Sequence, residues 1–386
     1  MATDGLKFYL KDNVFDKALE RMRWLFDEFP DICVSFSGGK DSTVTLELAK
    51  IVAREKNRLP VKVFWLDQEC EFQATEDYVK RVMYDPDVEP MWYQVPFRLQ
   101  NATSSTDQWL NCWADGEEWA RDQDPISIKE NTFGTDRFVP LMSEIMRQSF
   151  DTPVAILIGV RAEESPARML AITGDETYKG ETWGKKIDKD KGKFNFFPIY
   201  DWTYTDIWKA IHDHNWDYND HYNSMFRYGV PVRKMRVSNY HHETAVHALF
   251  MLQEIEPKTY ERATRRIGGL DTAGKMGNDD WYVYEVPFMF SGWVEYRDYL
   301  LENLVTDPIY RERYANYFKS IEARYSRSVG PAMYKNHINS ILCNDVEMTK
   351  IRNWEASHYT DIRLERKEAH DALIANKSNG NITAGA

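Results

Sequence analysis

The sequence predicts an α/β protein whose sheet is mainly parallel and doubly wound. Short apolar stretches with the character of buried strands alternate with stretches in which apolar residues recur at helical spacing. Parallel strands joined in this way need right-handed crossovers, which place helices on both faces of the sheet. From about Met225 onward the helical spacing dominates, so we expect a mostly helical C-terminal region.

The individual elements follow from local patterns. An amphipathic pattern over Asp16–Phe29 predicts the first helix, and the apolar run Ile32–Phe36 predicts a buried strand. Apolar residues at helical spacing predict a second helix over Thr43–Glu55. Three further apolar runs predict strands at Val61–Leu66, Met91–Val95 and Val154–Val160.

The domain organisation is predicted from shifts in composition. Residues 1–224 form the α/β domain, residues 225–375 the helical domain, and the small, polar residues 376–386 a disordered tail. Within the α/β domain, the polar, Trp-rich segment 104–138 is interpreted as an insertion that covers the site. The Gly- and Lys-rich segment 173–195 is interpreted as a mobile lid.

The bulk composition favours a cytoplasmic protein. The chain of 386 residues carries a net charge of −12, which is unlike a stand-alone nucleic-acid binder. No charged and apolar leader opens it, and no apolar run is long enough to span a membrane. Its four cysteines form no C-x-x-C pair, so we expect neither a zinc ribbon nor an iron–sulfur cluster.

The strongest functional signal is the hexapeptide Ser37–Ser42, which lies between the first predicted strand and the second helix. Its glycines allow backbone N–H groups to point inward, and the helix N-terminus adds positive potential, so the loop is suited to phosphate. Asp41 is a candidate ligand for Mg²⁺. The candidate binding residues here are Ser37, Gly38, Gly39, Lys40, Asp41 and Ser42. We call this segment the phosphate loop; it resembles the PP-loop of ATP pyrophosphatases.

Two more groups of candidates lie at the ends of predicted strands. Gly159 and Arg161 follow the strand Val154–Val160, and the guanidinium of Arg161 is suited to a phosphate or sulfate. Glu163 or Glu164 is expected to hold Arg161 in place or to help bind Mg²⁺, and Arg168 is expected to reach the same anion. Asp67 ends the strand Val61–Leu66 and is a candidate for binding ribose, adenine or metal.

The order of these motifs resembles the phosphoadenosine phosphosulfate (PAPS) reductase superfamily, and in particular its IbrA/YbdN-like subfamily. The resemblance to the superfamily is carried by the order of Ser37–Ser42, the Asp67 region, the run from Gly159 to Ser165 and the run from Pro198 to Thr203. The resemblance to the subfamily is carried by further stretches, which are Asp67–Thr75, Trp109–Trp119, Lys234–Arg236, Glu256–Pro257 and Ile341–Trp354. It implies a HUP-type α/β core, binding of ATP, PAPS or adenosine phosphosulfate with Mg²⁺, and a ParB-like protein partner. The reductases use a cysteine beside Gly, His and Glu, and Cys343 lacks those neighbours.

Three functions are therefore compared. The first is ATP chemistry at the α-phosphorus, with Lys40, Asp41 and Arg161 as catalytic residues and an unidentified acceptor. The second is nucleotide sensing for a DNA-binding partner, and the third is sulfonucleotide reduction, which the missing cysteine motif disfavours. Between residues 227 and 275, nine basic residues face five acidic ones. This basic region is interpreted either as a nucleic-acid surface, as a source of cations for phosphates entering the site, or as ordinary solvated helix faces.

Overall fold

The computed structural model describes most of the chain. The described residues are 11–104, 107–165, 168–169, 172, 177–188, 192–240, 249–273, 283, 285–325, 330–352 and 354–355. The predicted tail, residues 376–386, lies outside them, as do residues 173–176 and 189–191 of the predicted lid.

Contacts divide the chain into two compact units. Unit one comprises residues 1–99, 110–240 and 248–266, and unit two comprises residues 100–109, 241–247 and 267–386. Residue 224, where the sequence analysis placed the domain boundary, lies inside a helix of unit one. The chain therefore crosses between the units several times rather than at a single linker.

The strands are β1 (Asp31–Ser35), β2 (Val61–Leu66), β3 (Val88–Tyr93), β4 (Phe97–Gln100), β5 (Trp109–Cys112), β6 (Val154–Ile158), β7 (Gly184–Asp188) and β8 (Lys193–Phe196). The helices that lie in unit one are α1 (Val14–Glu28), α2 (Lys40–Glu55), α3 (Gln73–Met83), α4 (Phe138–Gln148), α5 (Tyr204–Asp213), α6 (His221–Tyr228), α7 (Leu249–Ile255) and α8 (Pro257–Arg266). Those of unit two are α9 (Leu270–Ala273), α10 (Trp293–Asn303), α11 (Pro308–Arg324) and α12 (Pro331–Leu342).

The main sheet has six strands in the order β3-β2-β1-β6-β8-β7. All neighbouring pairs are parallel except β7 with β8, which are antiparallel. The chain winds outward from β1 to β3 and then returns to β6 on the other side of β1. This reversal confirms the predicted doubly wound α/β fold, and it creates a crevice between β1 and β6 where ligands bind in such sheets.

The central strands are apolar over most of their length because both of their faces are covered. Ile32, Cys33 and Val34 of β1 are buried, as are the first four residues of β6, Val154–Leu157. In register, Cys33 pairs with Ile156 and Val34 pairs with Val63. Such continuous burial is typical of parallel sheets between helices and explains why these strands were recognisable as apolar runs.

The predicted lid contributes strands to the sheet in its described part. β7 and β8 form a hairpin at the sheet edge, and Tyr178 and Phe194 pack edge to face at 4.5 Å between ring centroids. Trp24 and Phe29 of unit one contact the same aromatic group. The Gly and Lys content suggested little to hold this segment down, but four aromatic side chains provide that packing: Tyr178, Trp183, Phe194 and Phe196.

Unit two has its own apolar core. Tyr314, Phe318 and Ile321 of α11 pack with Met333 and Ile341 of α12. Within the described ranges, no helix of either unit combines the length and hydrophobicity that crossing a lipid bilayer requires.

Candidate functional site

The phosphate loop connects β1 to α2 and has the conformation that its glycines permit. Gly38 has φ +69°, a left-handed value that favours glycine, and a Cβ there would lie 3.0 Å from the Thr75 methyl group. The Ser42 hydroxyl donates to the Gly39 carbonyl at 2.9 Å and lies 3.1 Å from the Ser37 hydroxyl. Asn219 closes the turn by donating to the Gly38 carbonyl at 3.0 Å.

The end of β6 lies directly against the start of α2. A Cβ at Gly159 would lie 2.6 Å from the Asp41 carbonyl carbon and 2.7 Å from the Ser42 nitrogen, so only glycine fits. This close approach brings Arg161 to Asp41, with 2.5 Å between Nε and Oδ1. The phosphate loop and the segment after β6, which are more than a hundred residues apart in the sequence, therefore lie together in one site.

A cavity of about 410 Å³ opens at this junction. It is lined by residues of the phosphate loop, of the segment after β6, and of helices α5 and α6 with the turn that follows α6. The lining residues are Ser37, Gly39, Lys40, Asp41, Gly159, Arg161, Glu163, Glu164, Arg168, Tyr204, Tyr222, Arg233, Lys234, Arg236 and Val237.

Asp41 lies between two cations. Its Oδ2 accepts from Lys40 Nζ at 3.0 Å, and its Oδ1 accepts from Arg161 Nε. Glu164 is similarly placed, with Arg168 at 2.9 Å and Arg161 at 3.6 Å. Because Lys40 and Arg161 are both about 95% buried, these pairs are poorly screened by solvent.

Cations outnumber acids in the lining. Of the lining residues that the structure describes, six are Lys or Arg and three carry carboxylates, a surplus of +3 in a chain whose net charge is −12. Such a concentration of positive charge in a cleft attracts anions. Together with the backbone N–H groups at the N-terminus of α2, it makes this cavity suited to phosphate or sulfate groups.

Most of the predicted site residues meet in this cavity. Ser37, Gly39, Lys40, Asp41, Gly159, Arg161, Glu164 and Arg168 all line it. Gly38 and Ser42 do not line the cavity; they determine the conformation of the phosphate loop through the backbone of Gly38 and the hydroxyl of Ser42. Asp67 is the exception, because it lies outside the lining and is fully buried.

The family of the chain is shown by its sequence. Residues 31–274 match the family model of the phosphoadenosine phosphosulfate reductase domain. The chain belongs to this family. Residues 229–377 match a domain of unknown function, DUF3440.

Two proteins with similar sequences illustrate the range of sequence identity. The uncharacterized protein YbdN of Escherichia coli is 29% identical over 330 residues, which cover 81% of this chain and 80% of that protein. An adenosine 5′-phosphosulfate reductase of Anoxybacillus flavithermus is 23% identical over 209 residues, covering 54% of this chain and 74% of the reductase.

Two solved structures are similar over part of the chain. The PAPS reductase of Candida auris, in a phosphate complex, is 13% identical with a TM-score of 0.35, covering 61% of this chain and 98% of that one. The FMN adenylyltransferase of Candida glabrata, in complex with ATP, is 15% identical with a TM-score of 0.32, covering 56% of this chain and 62% of that one.

Asp67 belongs to a second group of charges, at the end of β2. Its carboxylate accepts from Trp92 Nε1 at 2.9 Å, from Gln94 Nε2 at 2.8 Å, and from the Glu69 backbone N–H at 2.9 Å. Arg121 donates to the same carboxylate. We call this group the buried charge cluster; its members are Asp67, Glu69, Glu71, Glu76, Arg121, Arg262 and Arg266.

Residues 104–138, the segment predicted to cover the site, contact the buried charge cluster instead. None of its described residues lines the cavity. The Trp113 backbone N–H donates to Glu69 at 2.9 Å, and Arg121 contacts Asp67 and Glu76. Long-range contacts, which the segment's composition does not reveal, therefore decide where it packs.

The basic region of residues 227–275 does not form one surface. Arg262 pairs with Glu76 at 2.8 Å, and Arg266 pairs with Glu69 at 2.6 Å, so these two cations belong to the buried charge cluster. Arg233, Lys234 and Arg236 line the phosphate-loop cavity. This division favours the interpretation of cations that serve phosphates entering the site.

Some lining residues were not among the candidates. Tyr204 and Tyr222 belong to no sequence motif. Each lines the cavity because of where its helix packs, which the sequence around it does not reveal. Arg233, Lys234 and Arg236 were part of the basic excess, and Lys234 and Arg236 also belong to a stretch that carries the subfamily resemblance. Glu163 was considered beside Glu164; it contacts Arg161 at 3.4 Å and accepts from the Tyr204 N–H at 3.0 Å.

The cysteines lie away from the cavity. None of the lining residues is a cysteine, and all four cysteines are buried. Burial raises the pKa of the Cys33 thiol to about 12 and raises the pKa of Cys70 and Cys112 well above the ordinary range. A thiolate is therefore costly at these three positions.

Proposed function

We propose that this member of the PAPS reductase family binds ATP in the cavity and transfers the adenylyl group to an acceptor, releasing pyrophosphate. The observation that carries the proposal is the surplus of three cations around a phosphate loop in a strongly acidic chain. A site of this charge favours a ligand with several negative groups, such as a triphosphate.

The phosphate loop offers donors and charges that suit a triphosphate. The α2 N-terminus offers backbone N–H donors, Ser37 offers a hydroxyl, and Lys40 offers a compact positive charge. Arg161 adds a planar fork suited to two phosphate oxygens. In the free protein, Asp41 engages both Lys40 and Arg161 and so holds these cations in place.

The residues also fit a magnesium ion. Asp41 presents a carboxylate to the cavity, and Mg²⁺ is commonly held by one or two carboxylates together with substrate phosphates. Asp41 would hold the ion, and a bound Mg²⁺ supplies additional neutralisation of phosphate charge.

The proposed reaction is a displacement at the α-phosphorus. An oxygen of the acceptor forms a bond to the α-phosphorus, and the bond from that phosphorus to the oxygen bridging the α- and β-phosphates breaks. Pyrophosphate leaves with the electron pair of that bond. Lys40 and Arg161 stabilise the negative charge that develops on the departing group, because they are fixed and partly shielded from water.

The test uses ATP labelled at the α-phosphate, Mg²⁺ and a panel of acceptors. The proposal expects labelled AMP or an adenylylated acceptor, together with pyrophosphate. The Lys40→Ala variant should lose this activity. Labelled ADP with free phosphate would contradict the proposal, because the bond broken would then be the one to the γ-phosphate.

A further inference from the structure

A second set of cations lines the same cavity and belongs to a turn after α6. We call residues 233–237 the basic turn; its cations are Arg233, Lys234 and Arg236. The turn is tied to the phosphate loop, because Lys40 Nζ donates to the Met235 carbonyl at 3.4 Å. Met235 itself is 2% exposed and packs with Tyr222 and Met225, so the turn is fixed by its core side.

The charge surplus of the cavity comes from the basic turn. Lys40, Arg161 and Arg168 face the three carboxylates of the lining, with which they form ion pairs. Among the described residues, no carboxylate lies within ion-pair distance of the three basic-turn cations. Arg236 donates to the Glu164 backbone carbonyl at 3.3 Å, which directs it toward the segment after β6.

Tyr222 offers a donor between the loop and the turn. Its hydroxyl oxygen accepts from the Lys40 backbone N–H at 3.0 Å. Because the oxygen acts as the acceptor in this bond, the hydroxyl proton remains available to a ligand. Burial raises the pKa of Tyr222 far above its ordinary value, which keeps that proton in place.

We propose that Tyr222, Arg233, Lys234 and Arg236 form a second anion subsite, which holds the acceptor as a small tetrahedral oxyanion such as sulfate or phosphate. This inference rests on the proposed function. An anionic acceptor must approach a triphosphate that is itself negative, and this approach needs cations beyond those that hold the triphosphate. The three turn cations are exposed at the cavity, where a small anion can exchange with solvent.

The proposed step is balanced for such an acceptor. One oxygen of the oxyanion bonds to the α-phosphorus, the bond to the bridging oxygen breaks, and pyrophosphate departs. The product is a mixed anhydride of AMP and the acceptor. No oxidant or reductant takes part.

The test measures anion binding rather than turnover. The full chain is first saturated with Mg²⁺ and α,β-methylene-ATP, so that the phosphate loop is filled, and is then titrated calorimetrically with sodium sulfate or phosphate. The triple variant Arg233→Gln, Lys234→Gln, Arg236→Gln should bind the anion at least tenfold more weakly than the wild type. Tyr222→Phe should weaken it severalfold.

A matched variant removes the same charge elsewhere in unit one. Arg227→Gln, Lys258→Gln, Arg265→Gln changes three exposed cations outside the cavity and should leave anion affinity within twofold. Equal anion affinity in the wild type and the basic-turn variant, with nucleotide still bound, would overturn the subsite and leave the nucleotide proposal intact. Failure of the wild type to bind nucleotide would instead overturn the proposed function.

A third arm asks whether the cations hold a phosphate of the nucleotide. It compares the affinity of adenosine 3′,5′-bisphosphate with that of AMP. The proposal expects the basic-turn variant to change both affinities by similar factors. A preference for the bisphosphate that this variant erases would overturn the assignment to a free acceptor.

Discussion

The phosphate-loop cavity and the buried charge cluster lie at the ends of neighbouring strands, yet they use charge in opposite ways. In the cavity, cations outnumber acids and border open space. In the buried charge cluster, four buried acids are paired with or lie near three arginines, and Asp67 and Glu69 are fully buried. The same residue types therefore line an open, positively charged cavity at β1 and β6 and form a closed support at β2.

The difference shows that a position at the end of a strand does not make a carboxylate a ligand group. Asp67 accepts from four protein donors, so a ribose hydroxyl would have to displace one of them. Among the described residues, the Asp41 carboxylate has two partners, both cations that a phosphate could share. Satisfied hydrogen bonds thus separate a structural acid from one that is available to a ligand.

The largest expected effect tests the structural role of Asp67. Asp67→Ala leaves Arg121 buried without this partner and orphans the Trp92 and Gln94 donors. We expect a loss of about 3–5 kcal/mol in the free energy of unfolding, measured by urea denaturation. If stability is retained but ATP affinity falls, Asp67 is a ligand residue as the sequence predicted.

A second prediction concerns the pH dependence of the buried charge cluster. Burial, aided by the nearby Asp67 carboxylate, raises the pKa of Glu71 to about 8. Between the unfolded pKa near 4.5 and this value, the folded state binds the extra proton, so stability falls as pH rises through that window. The decline between pH 5 and 8 should be about 3–4 kcal/mol.

Glu71→Gln mimics the protonated acid and should remove this contribution to the decline. Thermal unfolding at pH 5, 6.5 and 8 would measure it, with the exposed Glu118→Gln as a control that leaves the slope unchanged. Burial also raises the pKa of Glu76 to about 7, so part of the decline should remain in Glu71→Gln. A slope that is undiminished in this variant would assign the pH dependence to another group.

We expect Lys40 to contribute to ATP affinity, whereas another buried lysine of the same helix contributes to stability. Lys40→Ala removes a charge-assisted contact to phosphate worth about 1.5–3 kcal/mol, so ATP affinity should fall roughly tenfold or more by calorimetry. Lys50, on the same helix, is also buried but pairs with Glu47 and Asp85. Lys50→Ala should lower stability and spare affinity; the reverse pattern would refute the site.

A smaller loss of ATP affinity should show whether Arg161 acts through its planar guanidinium or only through its positive charge. Arg161→Lys keeps the charge but loses the planar donors, so we expect roughly a fivefold loss of ATP affinity, about 1 kcal/mol. Arg21 makes a bidentate pair with Asp201 outside the cavity, and Arg21→Lys serves as the control. Full retention of affinity in Arg161→Lys would make Arg161 a generic cation.

The smallest effect is expected at Cys343. This buried residue follows helix α12 and lies outside the cavity lining. Cys343→Ser should retain nucleotide binding and pyrophosphate release. The purified protein with thioredoxin should release no sulfite from PAPS or adenosine phosphosulfate. Sulfite release that Cys343→Ser abolishes would restore the reductase hypothesis.

Local patterns predicted the elements that hold the cavity. The strand Val61–Leu66 has the predicted bounds, and β6 begins at Val154 as predicted but ends at Ile158, two residues early. The start of α2 lies at Lys40, three residues before the predicted Thr43, because the phosphate loop itself forms the first turn. These elements were predictable because apolar runs and glycine positions are local properties of the chain.

Contacts between distant segments were not predictable in the same way. The donors to Asp67 come from Trp92, Gln94 and Arg121, between 25 and 54 positions further along the chain. Tyr222 reaches the Lys40 N–H from 182 positions away. No spacing rule connects such residues. The ParB-like partner and the nucleic-acid surface stay predictions.

The hydrogen bonds from tryptophan to Asp67 have an optical consequence. Trp92 donates its indole N–H to the Asp67 carboxylate, and Trp113 donates its own to the Asp67 carbonyl at 2.8 Å. Indole emission responds to nearby charge and to water, so both fluorophores report whether the enclosure at β2 is intact. Among the described residues, no tryptophan lines the cavity. Intrinsic fluorescence should therefore follow unfolding closely, while a nucleotide titration will need a fluorophore carried by the nucleotide.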